Sequence, residues 1–168
     1  MNVDIALLAL RLVVGLTLAA HGAQKAFGWF GGPGPSGMTA WLNGAGFRPA
    51  KFWAFAAGAG EFLGGLFLAI GLLTPLAGIA AASTMIIAGA MHWPRFWATK
   101  GGIEYPLTLG VAALAMAVSG AGNLSLDGVL GIVVPTALSI VVVVLAAISI
   151  GTAFTTRRPA PAHQGAGD

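Results

Sequence analysis

Apolar residues along this chain gather into five long stretches, and turn-forming or charged residues mark where each stretch ends. A helix needs about 20 residues to cross a bilayer, at ~1.5 Å per residue, and the stretches approach or exceed that length. The pattern therefore predicts an all-α membrane protein with transmembrane helices at residues 5–24, 52–73, 76–91, 104–119 and 132–154.

The connecting segments are predicted from their glycine and proline content. Residues 27–51 begin with the turn-rich stretch FGWFGGPGPSG and continue with a segment suited to the membrane interface. Thr74 and Pro75 predict a tight turn, so the second and third helices form an antiparallel hairpin. Residues 120–128 are expected to form a loop, and residues 155–168 a disordered cytoplasmic tail.

The first apolar stretch has two interpretations, a retained helix or a cleaved signal peptide. Ala20 and Gly22 are small enough to flank a cleavage site. The basic region that precedes the apolar part of a signal peptide is missing, however, and the first charge is Asp4. The sequence thus favours a retained transmembrane helix.

Glu61 is the one ionisable residue inside the second predicted helix. Its helical face is shared by the residues three or four positions away, which are Ala57, Gly58, Gly64 and Gly65. Such small residues let another helix approach closely, so we expect Glu61 to face protein and not lipid. Because an unpaired carboxylate is costly there, another part of the chain must supply a partner.

Composition narrows the class of protein further. The chain is 57% hydrophobic and only 8% charged, with a mean hydropathy of +0.88, whereas soluble domains carry about 25% charged residues. The basic residues lie between apolar blocks and form no basic face, which makes nucleic acid an unsuitable partner. Cysteine is absent, so the chain offers no thiol chemistry and no thiolate ligand, and no metal site is predicted.

Charge also predicts the orientation of the five helices. Seven of the eight basic residues fall on one side, namely Lys25, Arg48, Lys51, Arg95, Lys100, Arg157 and Arg158. The positive-inside rule makes that side cytoplasmic and places the N-terminus outside. Arg11 lies within the first helix, from where it reaches either Glu61 or Asp4.

This topology brings ionisable residues from four helices into the cytoplasmic half of the bundle: His21, Lys25, Glu61, His92 and Glu104. We therefore interpret them as candidates for binding a ligand or handling protons. A plainer alternative treats Lys25, Arg95 and Lys100 as residues that extend to the interface, and His92 as an interfacial neighbour of Trp93.

Four segments, taken together, resemble the DoxX family of small bacterial membrane proteins. They are LRLVVGLTLAAHGAQKAFGWFGG, GAGEFLGGLFLAIGLLT, EYP at residues 104–106 and SLDG at residues 125–128. The resemblance covers about residues 8–130 and implies a four-helix transmembrane bundle core, with an interfacial loop at 27–51, in residues 1–130. Residues 131–154 then form an additional fifth transmembrane helix. The family pattern falls on His21, Gly22, Lys25, Glu61, Glu104, Tyr105 and Asp127. The resemblance therefore adds Tyr105 to the candidate ligand-binding residues. We interpret Arg11 and Asp127 as structural residues.

The DoxX family resembles the small membrane subunit of thiosulfate:quinone oxidoreductase, and some members are linked to membrane assemblies in oxidative and thiol stress. The resemblance therefore implies a multi-pass protein of the bacterial inner membrane that serves a quinone-linked oxidoreductase, with soluble redox proteins as partners and a quinone as candidate cofactor. The chain has no haem pair, dinucleotide motif or thiol, so no intrinsic cofactor is predicted and catalysis stays an open question. Two alternatives are a non-enzymatic membrane anchor or assembly partner, and a small-solute or proton-coupled carrier.

Overall fold

Helices account for nearly all of the regular structure in the computed structural model, which describes residues 2–158. They are α1 (Asn2–Phe27), α2 (Gly34–Gly44), α3 (Ala50–Ile70), α4 (Thr74–His92), α5 (Glu104–Ser119), α6 (Leu126–Leu130) and α7 (Thr136–Thr155). Single 3-10 turns lie at Trp29–Gly31 and Ala98–Lys100. The prediction of an all-α protein is confirmed for the described residues, which contain no strand.

Four of the described helices, α1, α3, α4 and α7, are long and apolar enough to cross a membrane. The C-terminal helix is therefore among them. Helix α5 is apolar but has only 16 residues, about 24 Å at ~1.5 Å per residue, against a hydrocarbon core of roughly 30 Å. That α5 also crosses the membrane therefore stays a prediction, and so does the count of five transmembrane helices.

Helices α1 and α3 pack closely and run antiparallel. A Cβ atom at Gly15 or Gly22 of α1 would overlap the backbone of α3, at Ala69 and Phe62 respectively. Conversely, a Cβ atom at Gly65 of α3 would overlap the backbone of α1. Glycine lets the two backbones touch, as in other membrane helix pairs.

Helix α4 returns along α3, which confirms the predicted hairpin, but the turn lies earlier than expected. Helix α3 ends at Ile70, and Gly71 follows in the left-handed conformation at φ 67°. The Leu72 N–H donates to Phe67 O, which gives the glycine-ended cap common in helices. Thr74 and Pro75, which we expected to form the turn, instead begin α4, where proline costs no hydrogen bond.

Helix α5 lies beside α4 and also contacts α1, so that α1, α3, α4 and α5 surround one apolar core. That core contains Leu18, Leu68, Ala81, Ala113 and Met116, all of them buried, one or two from each of the four helices. Helix α5 begins and ends where the sequence predicted. This core, built without α7, holds the four helices in register.

The turn-rich segment before α3 contains a helix that the sequence analysis did not predict. Helix α2 begins at Gly34, within the GPGPSG stretch, and carries proline in its first turn. Proline is tolerated there because the first N–H groups of a helix have no intrahelical acceptor. Met38 and Leu42 of α2 pack with Phe47, Trp53 and Ala54 in a second apolar cluster.

Two further boundaries differ from the predictions. Residues 126–128 were expected in a loop, but residues 126–130 form α6. The Ser125 hydroxyl caps the N-terminus of this helix by accepting from Gly128 N. Helix α7 begins at Thr136, after Pro135, and not at residue 132, because a residue before proline disfavours the helical conformation.

Helix α7 packs against α4, and its C-terminal end is attached to the segment between α2 and α3. Of its described residues, Ala153 alone is buried, in the cluster around Phe47. Arg157 Nε donates to Ala45 O at 2.8 Å, and Arg158 N donates to Gly46 O at 2.7 Å. The tail predicted at 155–168 thus has its first four residues in place against the segment between α2 and α3, and the others lie outside the described residues.

Candidate functional site

Glu61 is almost fully buried, with 1% of its surface exposed. It lies on the face of α3 that carries Gly58, Gly64 and Gly65, all of them buried. These glycines bring α1 against one side of α3 and α4 against another. The prediction that Glu61 faces protein is therefore confirmed.

Lys25 supplies the partner that Glu61 requires. The Lys25 ammonium forms an ion pair and hydrogen bond with Glu61 Oε1, and its side chain is 22% exposed. The antiparallel contact of α1 with α3 at Gly22 places Lys25, one turn later, beside Glu61. The plainer interpretation of Lys25 as a residue extended to the interface is wrong, because its charged group turns into the protein.

One oxygen of this ion pair has no partner. Glu61 Oε2 is buried and accepts no hydrogen bond from any described residue. A buried acceptor without a donor costs about 1–3 kcal/mol, and more when it is charged. The site is thus short of a hydrogen-bond donor beside Glu61.

A cavity of about 500 Å³ lies next to this pair and is lined by Lys25, Glu61 and His92. That size falls within the usual range for small-molecule sites, ~300–1,000 Å³. His92 is in the last turn of α4 and is partly buried. The three residues that the sequence placed in one half of the bundle therefore share one cavity.

Most of the remaining lining is apolar and comes from residues to which the sequence assigned no part in ligand binding. Helix α2 and the segment after it contribute Met38, Trp41, Leu42 and Phe47. Helix α3 contributes Trp53, and the end of α4 contributes Ile87 and Met91. The lining also includes the hydroxyl side chains of Ser83 and Thr84 on α4 and Ser149 on α7. The spacing of Met38 from Trp41 and Leu42, three and four residues, was the one signal that this segment presents an apolar face.

His21 and Tyr105 form a second, separate contact between α1 and α5. Their rings meet edge to face, with centroids 5.0 Å apart and planes at 65°. Neither is among the described residues that line the cavity. Their predicted part in ligand binding or proton handling stays a prediction.

Glu104 has a local role in the structure. Its Oε2 accepts from Ala98 N at 2.9 Å, across the loop that joins α4 to α5. Glu104 also lies at the start of α5, where a negative charge is favoured by the helix dipole. The structure does not place it with Lys25, Glu61 and His92.

A second buried polar cluster lies at the opposite end of the bundle, around Arg11 and Asp127. Arg11 is fully buried, and its Nη2 donates to Leu124 O and not to either predicted partner. The Asp127 carboxylate accepts from Leu73 N at 2.7 Å and from Thr74 N at 2.9 Å. This cluster joins α1 and the loop before α6 to the turn between α3 and α4, which agrees with the structural role expected of both residues.

Residues 6–94 match the family model described as DoxX, which is more than half of the chain. The chain belongs to the DoxX family. No curated protein and no solved structure matches the chain. Together with its apolar helices, DoxX membership identifies a small multi-pass membrane protein.

The DoxX match covers α1 to α4 and therefore the whole Lys25, Glu61 and His92 site. Glu104, Tyr105 and Asp127 lie beyond the matched residues. Among the described residues, no group of three or more His, Asp or Glu side chains is placed to hold a metal ion. The chemistry available in the cavity is thus that of one ion pair, one imidazole and three hydroxyl groups within an otherwise largely apolar wall.

Proposed function

We propose that this DoxX protein is the membrane subunit of a quinone-linked oxidoreductase and that its cavity binds the quinone headgroup. The observation that carries the proposal is the buried Lys25 and Glu61 pair, which opens into an otherwise largely apolar cavity of about 500 Å³. A quinone needs both parts, since its ring and tail are apolar and its carbonyl oxygens accept hydrogen bonds.

The unpartnered oxygen of Glu61 supports this choice of ligand. Lys25 has three N–H donors, of which one is engaged with Glu61 Oε1. A second can donate to a quinone carbonyl. When that carbonyl becomes a hydroxyl on reduction, the hydroxyl can donate to Glu61 Oε2, which has no other partner.

Reduction of a quinone to a quinol takes up two electrons and two protons. The electrons come from a soluble redox partner, since this chain has no cysteine and no thiol relay. The protons reach the ligand through His92, because one imidazole nitrogen can accept a proton while the other donates one. His92 lies in the α4 wall of the same cavity.

We further propose that the cavity opens toward the cytoplasmic half of a bacterial inner membrane. Lys25, Arg48 and Arg157 lie at the same end of the bundle as the cavity, and basic residues favour the cytoplasmic side. A soluble cytoplasmic partner would meet the protein at this end.

Bound quinone tests the proposal. The protein is purified in mild detergent, its lipids are extracted, and quinone per protein is measured by mass spectrometry. Wild type and Lys51→Gln should retain quinone, whereas Lys25→Gln should lose most of it, because only Lys25 lines the cavity. Ala57→Phe, which fills the cavity without changing charge, should also lose quinone.

Equal quinone in Lys25→Gln and Lys51→Gln, at equal yield of folded protein, would overturn the headgroup assignment. A preparation without quinone that holds a stoichiometric soluble protein would support the membrane anchor instead. The carrier alternative has less support, since α1, α3 and α4 run without a break in the described residues.

A further inference from the structure

A second concave surface lies on the other side of α4, between α4 and α5. Its volume is about 510 Å³, and its lining is almost wholly apolar. Gly89, Ala90 and Gly110 leave it open, while Ile86, Leu107 and Leu114 form its sides. We call this surface the α4/α5 groove, and none of its lining residues also lines the cavity beside Lys25 and Glu61.

The length of the groove matches one leaflet of a bilayer. Its lining on α5 runs from Leu107 to Leu114, after Ile103 at the end of the preceding loop. The eleven steps along the chain from residue 103 to residue 114 span about 17 Å at ~1.5 Å each, and half of a ~30 Å hydrocarbon core is about 15 Å. A transmembrane helix of a partner would extend to twice that length, whereas a lipid acyl chain would fit.

Basic residues lie at the end of the groove where a lipid headgroup would be. Trp93 and Ile103 form that end, and Ile103 N donates to Arg95 O at 2.9 Å, which holds Arg95 beside the groove. Arg95 and Lys100 are exposed. The nearby Glu104 carboxylate accepts from Ala98 N, and two basic residues against this one carboxylate leave a positive balance of charge that favours an anion.

We propose that the α4/α5 groove binds one anionic phospholipid of the adjoining leaflet. Its acyl chain lies along Gly89, Ala90 and Gly110, and its phosphate contacts Arg95 and Lys100. Trp93 lies at headgroup level, where tryptophan is enriched in membrane proteins. This proposal does not depend on the quinone, since the groove and the cavity lie on opposite faces of α4.

The test measures lipid binding to the purified, delipidated protein by native mass spectrometry. The probes are phosphatidylglycerol and phosphatidylcholine with the same acyl chains. Wild type should bind one phosphatidylglycerol in preference to phosphatidylcholine. The Arg95→Gln, Lys100→Gln double variant should bind it about 30-fold less tightly, at roughly fivefold for each basic residue.

Two matched controls separate the groove from general charge and packing. Arg48→Gln, Lys51→Gln removes the same charge at the same end and should leave binding within about twofold, since these residues lie outside the groove and the detergent offers no anionic membrane surface for them to attract. Ala90→Phe fills the groove and should abolish the single tight site, whereas Ala115→Phe, at an exposed position of α5 outside the lining, should not.

Equal binding of the two lipids by wild type would overturn the proposal. An equal loss in the two charge variants, or in the two phenylalanine variants, would also overturn it, because the lipid would then be held by the general surface. Retention of quinone by Ala90→Phe would be consistent with two separate sites.

Discussion

At the scale of single residues, Glu61 and Lys25 form an ion pair in which the carboxylate side chain is more deeply buried than the lysine side chain. Glu61 is 1% exposed and Lys25 22%. The lysine can therefore find water or lipid headgroups when its partner is lost, but the carboxylate cannot. Removing a partner from a buried charge costs more than removing both charges together.

This asymmetry predicts the outcome of a double-mutant cycle on thermal unfolding in detergent. Lys25→Met should destabilise the protein by at least about 1–3 kcal/mol, the cost of an unsatisfied buried acceptor. Adding Glu61→Gln should restore part of that stability, since the amide carries no charge. Lys51→Met, at an exposed lysine, should stay within about 0.5 kcal/mol of wild type.

Additive effects of Lys25→Met and Glu61→Gln would contradict the pairing. Residues in direct contact are expected to couple, whereas distant residues add.

At the scale of elements, the end of α3 requires glycine at position 71 for two reasons, its backbone conformation and the lack of space for a side chain. Gly71 has φ 67°, a region that other residues rarely adopt, and a Cβ atom there would overlap the Arg11 guanidinium and Ser125. The Gly71 carbonyl also accepts from Asp127 N at 2.9 Å. The turn between α3 and α4 is thus part of the same buried cluster as α1 and α6.

Gly101 provides a matched control for this position, since it has the same φ of 67° with nothing within 4 Å of an added Cβ. Gly101→Ala should cost about 1–2 kcal/mol, the penalty for the left-handed conformation alone. Gly71→Ala should cost clearly more in thermal unfolding, because Arg11 must move as well. Equal costs would mean that Arg11 is not held against this turn.

Helix α7 packs against α4 but differs from the other long helices because most of its surface is exposed. The described part of the chain buries only Ala153 of this helix, and Arg157 continues the attachment by lying 5.7 Å from the centre of the Phe47 ring. The rest of α7 presents valine, leucine and isoleucine outward. Ser149 lies in the cavity lining, so this attached end forms part of the wall around the proposed quinone.

At the scale of the whole molecule, the two ends of the bundle have different chemistry. One end has Lys25, the cavity and the attached end of α7. The other end has the buried Arg11 and Asp127 cluster, where α1 meets the turn between α3 and α4. From the positive-inside rule we predict that the first end faces the cytoplasm.

The absence of cysteine from the chain allows this assignment to be tested by labelling. Single variants Lys100→Cys, Asn123→Cys and Arg158→Cys are exposed to a membrane-impermeant maleimide in intact cells. Asn123→Cys should be labelled from outside, and the other two only after the membrane is opened, since seven basic residues favour the cytoplasm at their end. Labelling of Lys100→Cys and Arg158→Cys on opposite sides would show that α5 and α7 do not both cross.

Much of the fold follows from the sequence alone. Apolar length predicted α1, α3, α4 and α7, and the small residues around Glu61 predicted that its face meets protein. Proline and a glutamate in the first turn marked the start of α5 at Glu104. These inferences hold because each depends on hydropathy or spacing within one segment.

The tertiary structure alone decided which polar groups meet. A membrane helix is apolar on every side, so its sequence carries little periodic signal for its rotation about its own axis. That rotation is determined by contacts that a glycine makes with a segment distant in sequence, such as Gly22 against the backbone of Phe62. The same contacts place Lys25 beside Glu61, leave His21 against Tyr105, and turn Arg11 away from both predicted partners.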